Sequence, residues 1–181
     1  MRTRLFALAV FAVAATTRQA VAAEVSGTVI RVVDGDTIVV SAKGFDTTVR
    51  LLGIDTPETK KPGTAVQCGG PEAAAEAKRL LAQGTRVRVM SDPNPKYETR
   101  DRYGRFLGIV YVRGRTGEAG SVNYQLVSRG FARVLVVNRV RPPTYAPTFQ
   151  VAERSARTRN LGIWGAPCFG DTTKPDPNGA P

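Results

Sequence analysis

From Val25 to Ile54 the apolar residues fall in short runs separated by Gly and Asp breaks. "VSGTVIRVV" (25–33), "DTIVVSA" (36–42) and "TTVRLLGI" (47–54) are rich in β-branched residues, and the breaks between them are Asp34-Gly35-Asp36 and Lys43-Gly44. Such runs fit a pleated, half-buried surface, so the pattern predicts three strands joined by tight turns. The period then changes. "GGPEAAAEAKRLLAQG" (69–84) has Pro71 near its start, apolar positions at Ala73, Ala77, Leu80 and Leu81, and Gly84 as terminator, which predicts a helix. "TRVRVM" (85–90) and "FLGIVYV" (106–112) return to strand, with the polar loop "SDPNPKYETRDRYGR" between them. "SVNYQLVSRG" (121–130) reads as a short helix with Ser121 as N-cap and Gly130 as stop. "FARVLVV" (131–137) reads as extended, and Pro147 opens a third helix through Asn160. Five strands with one helix between the third and fourth predict an α+β OB-type barrel with three helices. A fold of this kind does not by itself give a function.

The ends of the chain are set apart by composition. Residues 1–23 run from Arg2 and Arg4 through an apolar stretch to Val21-Ala22-Ala23, the order of a secretory signal peptide cleaved after Ala23. The apolar stretch is short for a membrane span, so an anchor is the lesser alternative. Residues 24–170 form one domain, and 171–181, rich in Pro, Gly and Asp, are expected to be a disordered tail. Export makes the product a secreted or cell-envelope protein with no membrane attachment after cleavage. It also places Cys68 and Cys168 in an oxidising compartment, where one disulfide is the economical reading and two free thiols the alternative.

Charge and residue usage narrow the chemistry. Loss of Arg2, Arg4 and Arg18 with the signal takes the net charge from +11 to +8, a balance that favours polyanionic partners or serves solubility alone. There is no histidine, which excludes Ser-His-Asp and Cys-His catalysis. Acid–base work then falls to carboxylates, tyrosine, lysine or metal-bound water. Asp36, Asp55 and the Thr56 carbonyl can offer a hard cation such as Ca²⁺ three oxygens, with Pro57 restricting Thr56. Asp34 flanks the same turn, and the competing reading of Asp-Gly-Asp is a plain hairpin turn. Glu58 is the candidate base for a water attacking phosphorus; otherwise it is an exposed turn residue. Arg50 and Arg105 have the planar fork that matches phosphate oxygens, although a lone arginine in a basic protein is usually a solvated charge. Arg102 and Tyr103 can meet a neighbouring phosphate and stack on a base, or simply form a turn before Gly104.

Six segments occur in order: "VVDGDTIVV", "VRLLGIDTPETKKP", "GPEA", "DRYGRFLGIVY", "VNYQLVSRGFARV" and "NLGIW". From about Val25 to Trp164 the chain thus resembles the staphylococcal nuclease (thermonuclease) family of secreted Ca²⁺-dependent nucleases. The resemblance implies Ca²⁺ held by Asp36, Asp55 and the Thr56 carbonyl, Glu58 as general base, Arg50 and Arg105 as phosphate clamps, and Arg102 and Tyr103 at the nucleotide site. It implies a monomer that cleaves the P–O5′ bond of DNA and RNA, single strands preferred, leaving 3′-phosphate ends. One departure is that Val136 and Asn138 stand where the family has two base-contacting tyrosines. The alternative from another class is a non-catalytic OB module that binds single-stranded nucleic acid. A cationic polysaccharide-binding protein would leave the acid cluster unexplained.

Overall fold

The computed structural model describes residues 22–60, 63–94, 96–137 and 143–177. The signal-peptide reading of residues 1–23 lies outside these, apart from Ala22 and Ala23. Seven strands and three helices follow in the order β1 (Glu24–Asp34), β2 (Thr37–Ala42), β3 (Phe45–Leu51), β4 (Ile54–Asp55), α1 (Gly70–Leu80), β5 (Arg86–Met90), β6 (Phe106–Val112), α2 (Val122–Ser128), β7 (Arg133–Val134) and α3 (Ala146–Thr158). Five of the strands close a barrel in the order β1-β2-β3-β6-β5. The pairing of β3 with β6 is parallel and the other four pairings are antiparallel. The OB-type α+β architecture expected from the pattern is the one observed.

Closure needs a bent first strand. Against β2, β1 slips register between Val29 and Arg31 and again between Val32 and Asp34. Each extra residue adds local twist, which curls the long strand around the barrel. The β2–β3 hairpin turns on Lys43 and Gly44, both at positive φ (51° and 84°), the backbone of a tight two-residue hairpin loop. Alternate strand positions Ile38, Val40, Val49, Leu51, Val87 and Val89 are buried in one core that continues to Leu126 and Phe149 of the helices. Each such side chain contributes roughly 1.5–3 kcal/mol by leaving water.

Helix α2 docks through a polar residue that hydrophobic periodicity does not reveal. Asn123 is fully buried. Its Oδ1 accepts from Val110 N–H at 2.9 Å, and its Nδ2 donates to the Leu52 carbonyl at 2.9 Å and the Gly108 carbonyl at 3.3 Å. It thereby joins α2 to backbone groups of β6 and of the turn after β3, adding to the bond that the Gly108 carbonyl already accepts from Leu52 N–H at 2.8 Å. Ser121 caps this helix as expected, accepting from Tyr124 N–H at 3.1 Å.

Three expectations change. The run 47–54 is not one strand: β3 ends at Leu51, and after a turn at Leu52-Gly53 the chain forms β4, which leaves the barrel to pair with β7. The extended run 131–137 shrinks to that two-residue partner, Arg133–Val134. The tail expected to be disordered from Asp171 is docked as far as Pro177: Pro175 bridges Gln67, the Lys174 carbonyl accepts from Cys68 N–H, and Asp176 is buried. Its anchors are partners distant in sequence, which composition does not encode. Cys68 and Cys168 are joined by a disulfide that closes a separation of 100 residues. No helix among the described residues is long and apolar enough to cross a membrane.

Candidate active site

A cleft of about 430 Å³ opens where the β1–β2 turn, β3, β4 and the loop after β4 meet. Asp34, Asp36, Arg50, Asp55, Thr56, Glu58 and Arg105 all line it, together with Lys60. The Asp-Gly-Asp segment is a hairpin turn and a part of the cleft at once. Between its acids, Gly35 leaves no room for a side chain: a Cβ there would stand 2.7 Å from the Thr56 hydroxyl. The bare backbone lets β4 pack against the turn.

Arg50 is the hub. On a continuous strand, residues 50 and 55 would lie about 16 Å apart and face opposite sides. The turn at Gly53 (φ 78°) folds the chain back instead. Arg50 Nη1 donates to the carbonyls of Leu51 (3.1 Å) and Ile54 (2.9 Å), which locks the guanidinium across that turn. Its Nη2 lies 2.9 Å from Asp36 Oδ2 and 3.1 Å from Asp55 Oδ1. Two carboxylates, one from the β1–β2 turn and one from β4, therefore converge on one nitrogen. Asp36 is further held by the Thr56 amide (3.1 Å), the Thr56 hydroxyl (3.2 Å) and the Thr37 hydroxyl (3.0 Å). Burial pushes the Asp55 carboxyl up, against the pull of Arg50, but its side chain keeps 58% exposure and solvent limits the effect.

Glu58 occupies the opposite wall. Its Oε1 accepts from the amides of Thr59 (2.9 Å) and Lys60 (2.8 Å), and its backbone is gripped by Gln67, whose Oε1 accepts from Glu58 N–H at 2.8 Å and whose N–H donates to the Glu58 carbonyl at 2.9 Å. Asp34 accepts from the Thr59 hydroxyl at 2.8 Å. Burial, and then a hydrogen bond with Glu58, push Asp34 up to about 6. Asp34 thus retains its proton to higher pH than an isolated aspartate.

Arg105 reaches the cleft from the start of β6. Asp101 holds it twice, accepting from its Nε at 2.7 Å and from its backbone N–H at 3.0 Å. Burial of Asp101 is outweighed by these bonds, and its carboxyl lies below the usual range. Arg102 and Tyr103 do not line the cleft; they flank it on the exposed loop. Arg102 Nη2 donates to the Tyr103 hydroxyl at 2.6 Å, and the Arg105 guanidinium carbon lies 5.4 Å from the Tyr103 ring centre. Val136 is half-buried against the core, and Asn138 lies outside the described residues. Two positioning residues escaped the sequence reading. Asp101 carries a local signal, an Asp opening a turn that ends at Gly104. Gln67 carries none, because its contact with Glu58 depends on how a loop folds back.

The donor set is all oxygen, which suits a hard cation. Among the described residues no group of three or more His, Cys, Asp or Glu side chains forms a metal cage. A cation would rest on Asp36 and Asp55 with neutral oxygens such as the Thr56 carbonyl completing its shell.

Comparison with known proteins converges on one group. The pattern of a family described as "Staphylococcal nuclease homologue" matches residues 48–166, a span that begins within β3, after Asp34 and Asp36. The prophage-derived endonuclease YokF of Bacillus subtilis is 43% identical over 138 residues, covering 76% of this chain and 43% of that protein. Endonuclease YncB of the same organism is 41% identical over 141 residues, covering 77% and 62%. The chain thus spans less than two thirds of either Bacillus protein. The thermonuclease of Staphylococcus intermedius is 38% identical over 136 residues, covering 74% of this chain and 73% of its own length. With a closed five-stranded barrel, three helices and this breadth of similarity, the chain belongs to the staphylococcal nuclease family.

Proposed function

We propose that the chain is a Ca²⁺-dependent phosphodiesterase that hydrolyses DNA and RNA, preferring single strands and leaving 3′-phosphate ends. The carrying observation is the convergence of Asp36, Asp55, Glu58, Arg50 and Arg105 on one cleft. The names of the relatives, endonuclease and thermonuclease, support the same class of reaction.

Asp36, Asp55 and the Thr56 carbonyl would hold Ca²⁺. A cation held there would supply Lewis-acid polarisation of a phosphate oxygen and offset the two carboxylates that now engage Arg50 Nη2. Glu58 takes a proton from the water that attacks phosphorus. Arg50 and Arg105 receive the negative charge that builds on the non-bridging oxygens. The P–O5′ bond breaks, and the leaving O5′ acquires a proton from solvent. Arg102 and Tyr103, beside Arg105, receive the neighbouring nucleotide by charge and stacking. The disulfide supports export to an oxidising compartment, and the single closed barrel a monomer.

The test is digestion of end-labelled single-stranded DNA and RNA with Ca²⁺, with a chelator, and with Mg²⁺ alone. Ca²⁺-dependent cleavage leaving 3′-phosphate ends is the expected result. Binding without cleavage in every condition would make the chain a binding module instead.

A further inference from the structure

A second basic feature lies away from the cleft. A groove of about 560 Å³ runs over the outer face of the barrel where β1, β5 and β6 lie side by side. Strand β5 buries Val87 and Val89 and therefore turns Arg86 and Arg88 outward. Arg88 sits between Ser26 of β1 and Tyr111 of β6 in the pairing register. Past the end of β6 the chain turns at Gly114 (φ 87°), where Arg115 N–H donates to the Val112 carbonyl, and this brings Arg113 and Arg115 to the same groove.

Four arginines and a tyrosine thus line one slot, and among the described residues no acidic side chain lines it. Among the described residues none of the four guanidiniums forms an ion pair, and Arg88 lies over the Tyr111 ring at 5.5 Å. Gathering like charges without counter-charges costs folding energy through self-repulsion. Guanidinium forks match phosphate oxygens, and an arginine laid on an aromatic ring is a stacking platform for bases.

We propose that this groove is a second nucleic-acid site, which holds the backbone of a strand whose scissile segment occupies the cleft. The inference rests on the nuclease reading for the identity of the polyanion. Strand β6 connects the two places: Arg105 precedes it in the cleft, and Tyr111 lies near its far end in the groove. At strand rise that separation is about 20 Å. At a helical rise of ~3.4 Å per nucleotide this is roughly six nucleotides, so long substrates span both sites and a dinucleotide reaches one.

The experiment measures binding of a 30-nucleotide single-stranded DNA to the purified chain in excess chelator, where cleavage is absent, as a function of salt. The variants are Arg113→Ala/Arg115→Ala and the quadruple form that adds Arg86→Ala/Arg88→Ala. Each phosphate contact contributes about 0.7 to the slope of log affinity against log salt, so the quadruple variant should lose about 3 from the slope and the double variant about 1.4. Hydrolysis of a dinucleotide with Ca²⁺ should stay within about twofold of the parent. If the quadruple variant does not fold, the double variant, confined to an exposed turn, carries the test. An unchanged slope in a folded variant overturns the proposal. So does an equal loss on the dinucleotide, or a loss confined to anionic lipid vesicles. A chain that cleaves nothing yet shows the slope change would overturn the nuclease reading and leave the groove standing.

Discussion

The two walls of the cleft are built by different means. Asp36 and Arg50 stand at the β1–β2 turn and in β3, where a hydrogen-bonded ladder fixes each backbone position. Glu58 stands in the loop after β4 and meets the barrel through Asp34, at the end of β1. Its support is relayed: Gln67 grips the Glu58 backbone, Lys174 to Asp176 pair with 66–68, and the disulfide ties Cys68 to Cys168. Asp176 also accepts from Gly69 N–H at 3.3 Å, just before α1 begins. One wall inherits its rigidity from the barrel, whereas the other, beyond its bonds to Asp34, borrows support from the far end of the chain. Perturbing the barrel wall should therefore cost fold and activity together, and perturbing the loop wall should separate them.

The largest expected effect is chemical. Glu58→Gln keeps the loop's shape and removes the proposed base, so kcat should fall roughly 10²–10⁴-fold with little change in affinity for single-stranded DNA. Single-turnover kinetics beside a binding titration checks this, and parallel losses in both would remove Glu58 from the role of base. Gly53→Ala attacks the barrel wall. A Cβ there would meet the Tyr145 ring at 2.0 Å, at a φ that L residues avoid. Strain and overpacking together should cost about 3 kcal/mol, and activity should fall with stability because Arg50 and Asp55 lose their alignment. Denaturant unfolding and an activity assay on the same sample would show whether the two losses track each other.

Cys168→Ser sharpens the contrast from the other side. Releasing a closure of 100 residues should cost roughly 2–4 kcal/mol. With the tail loosened, kcat should fall while Ca²⁺ affinity, set by the barrel wall, holds. A variant that loses Ca²⁺ affinity and kcat equally would mean that the walls are not independent. The smallest effect belongs to a position outside both walls. Glu76 on α1 bonds Arg79 at 2.7 Å and 2.8 Å and also pairs with Arg129, at the end of α2. The Arg79 bond, against an upward push from burial, and then the Arg129 bond hold the Glu76 carboxyl below its ordinary 4.5. A depressed carboxyl stabilises the fold above its unfolded-state pKa, and the effect is lost as pH falls through the folded value. Glu76→Gln should therefore lower Tm by about 1–3 °C at pH 7 and have almost no effect near pH 3, with kcat unchanged at neutral pH.

Much of the barrel wall was legible in the chain. Valine and isoleucine at alternate positions mark the strands because a pleated surface buries every second side chain, and Asp-Gly-Asp and Lys-Gly mark their turns. The residues of the cleft carry their chemistry in their types: carboxylates and arginines with no histidine leave phosphate and hard cations as the natural partners. What the pattern could not convey is the fold-back at Gly53, since "LLGI" continues an apolar run that the Arg50 bonds to Leu51 and Ile54, the ring of Tyr145 and the pairing of β4 with β7 interrupt. Nor could it convey the docking of 171–177, the grip of Gln67 on Glu58, or the buried Asn123 that joins α2 to the barrel. Each of these is a contact between segments distant along the chain or a turn forced by a neighbour. Local sequence set the strands, the helices and the chemical character of the cleft, because propensity and periodicity act over a few residues. The approach of Arg50 to Asp55 and the bracing of Glu58 were decided by tertiary packing, because a hydrogen bond between distant segments exists only once the chain between them is folded.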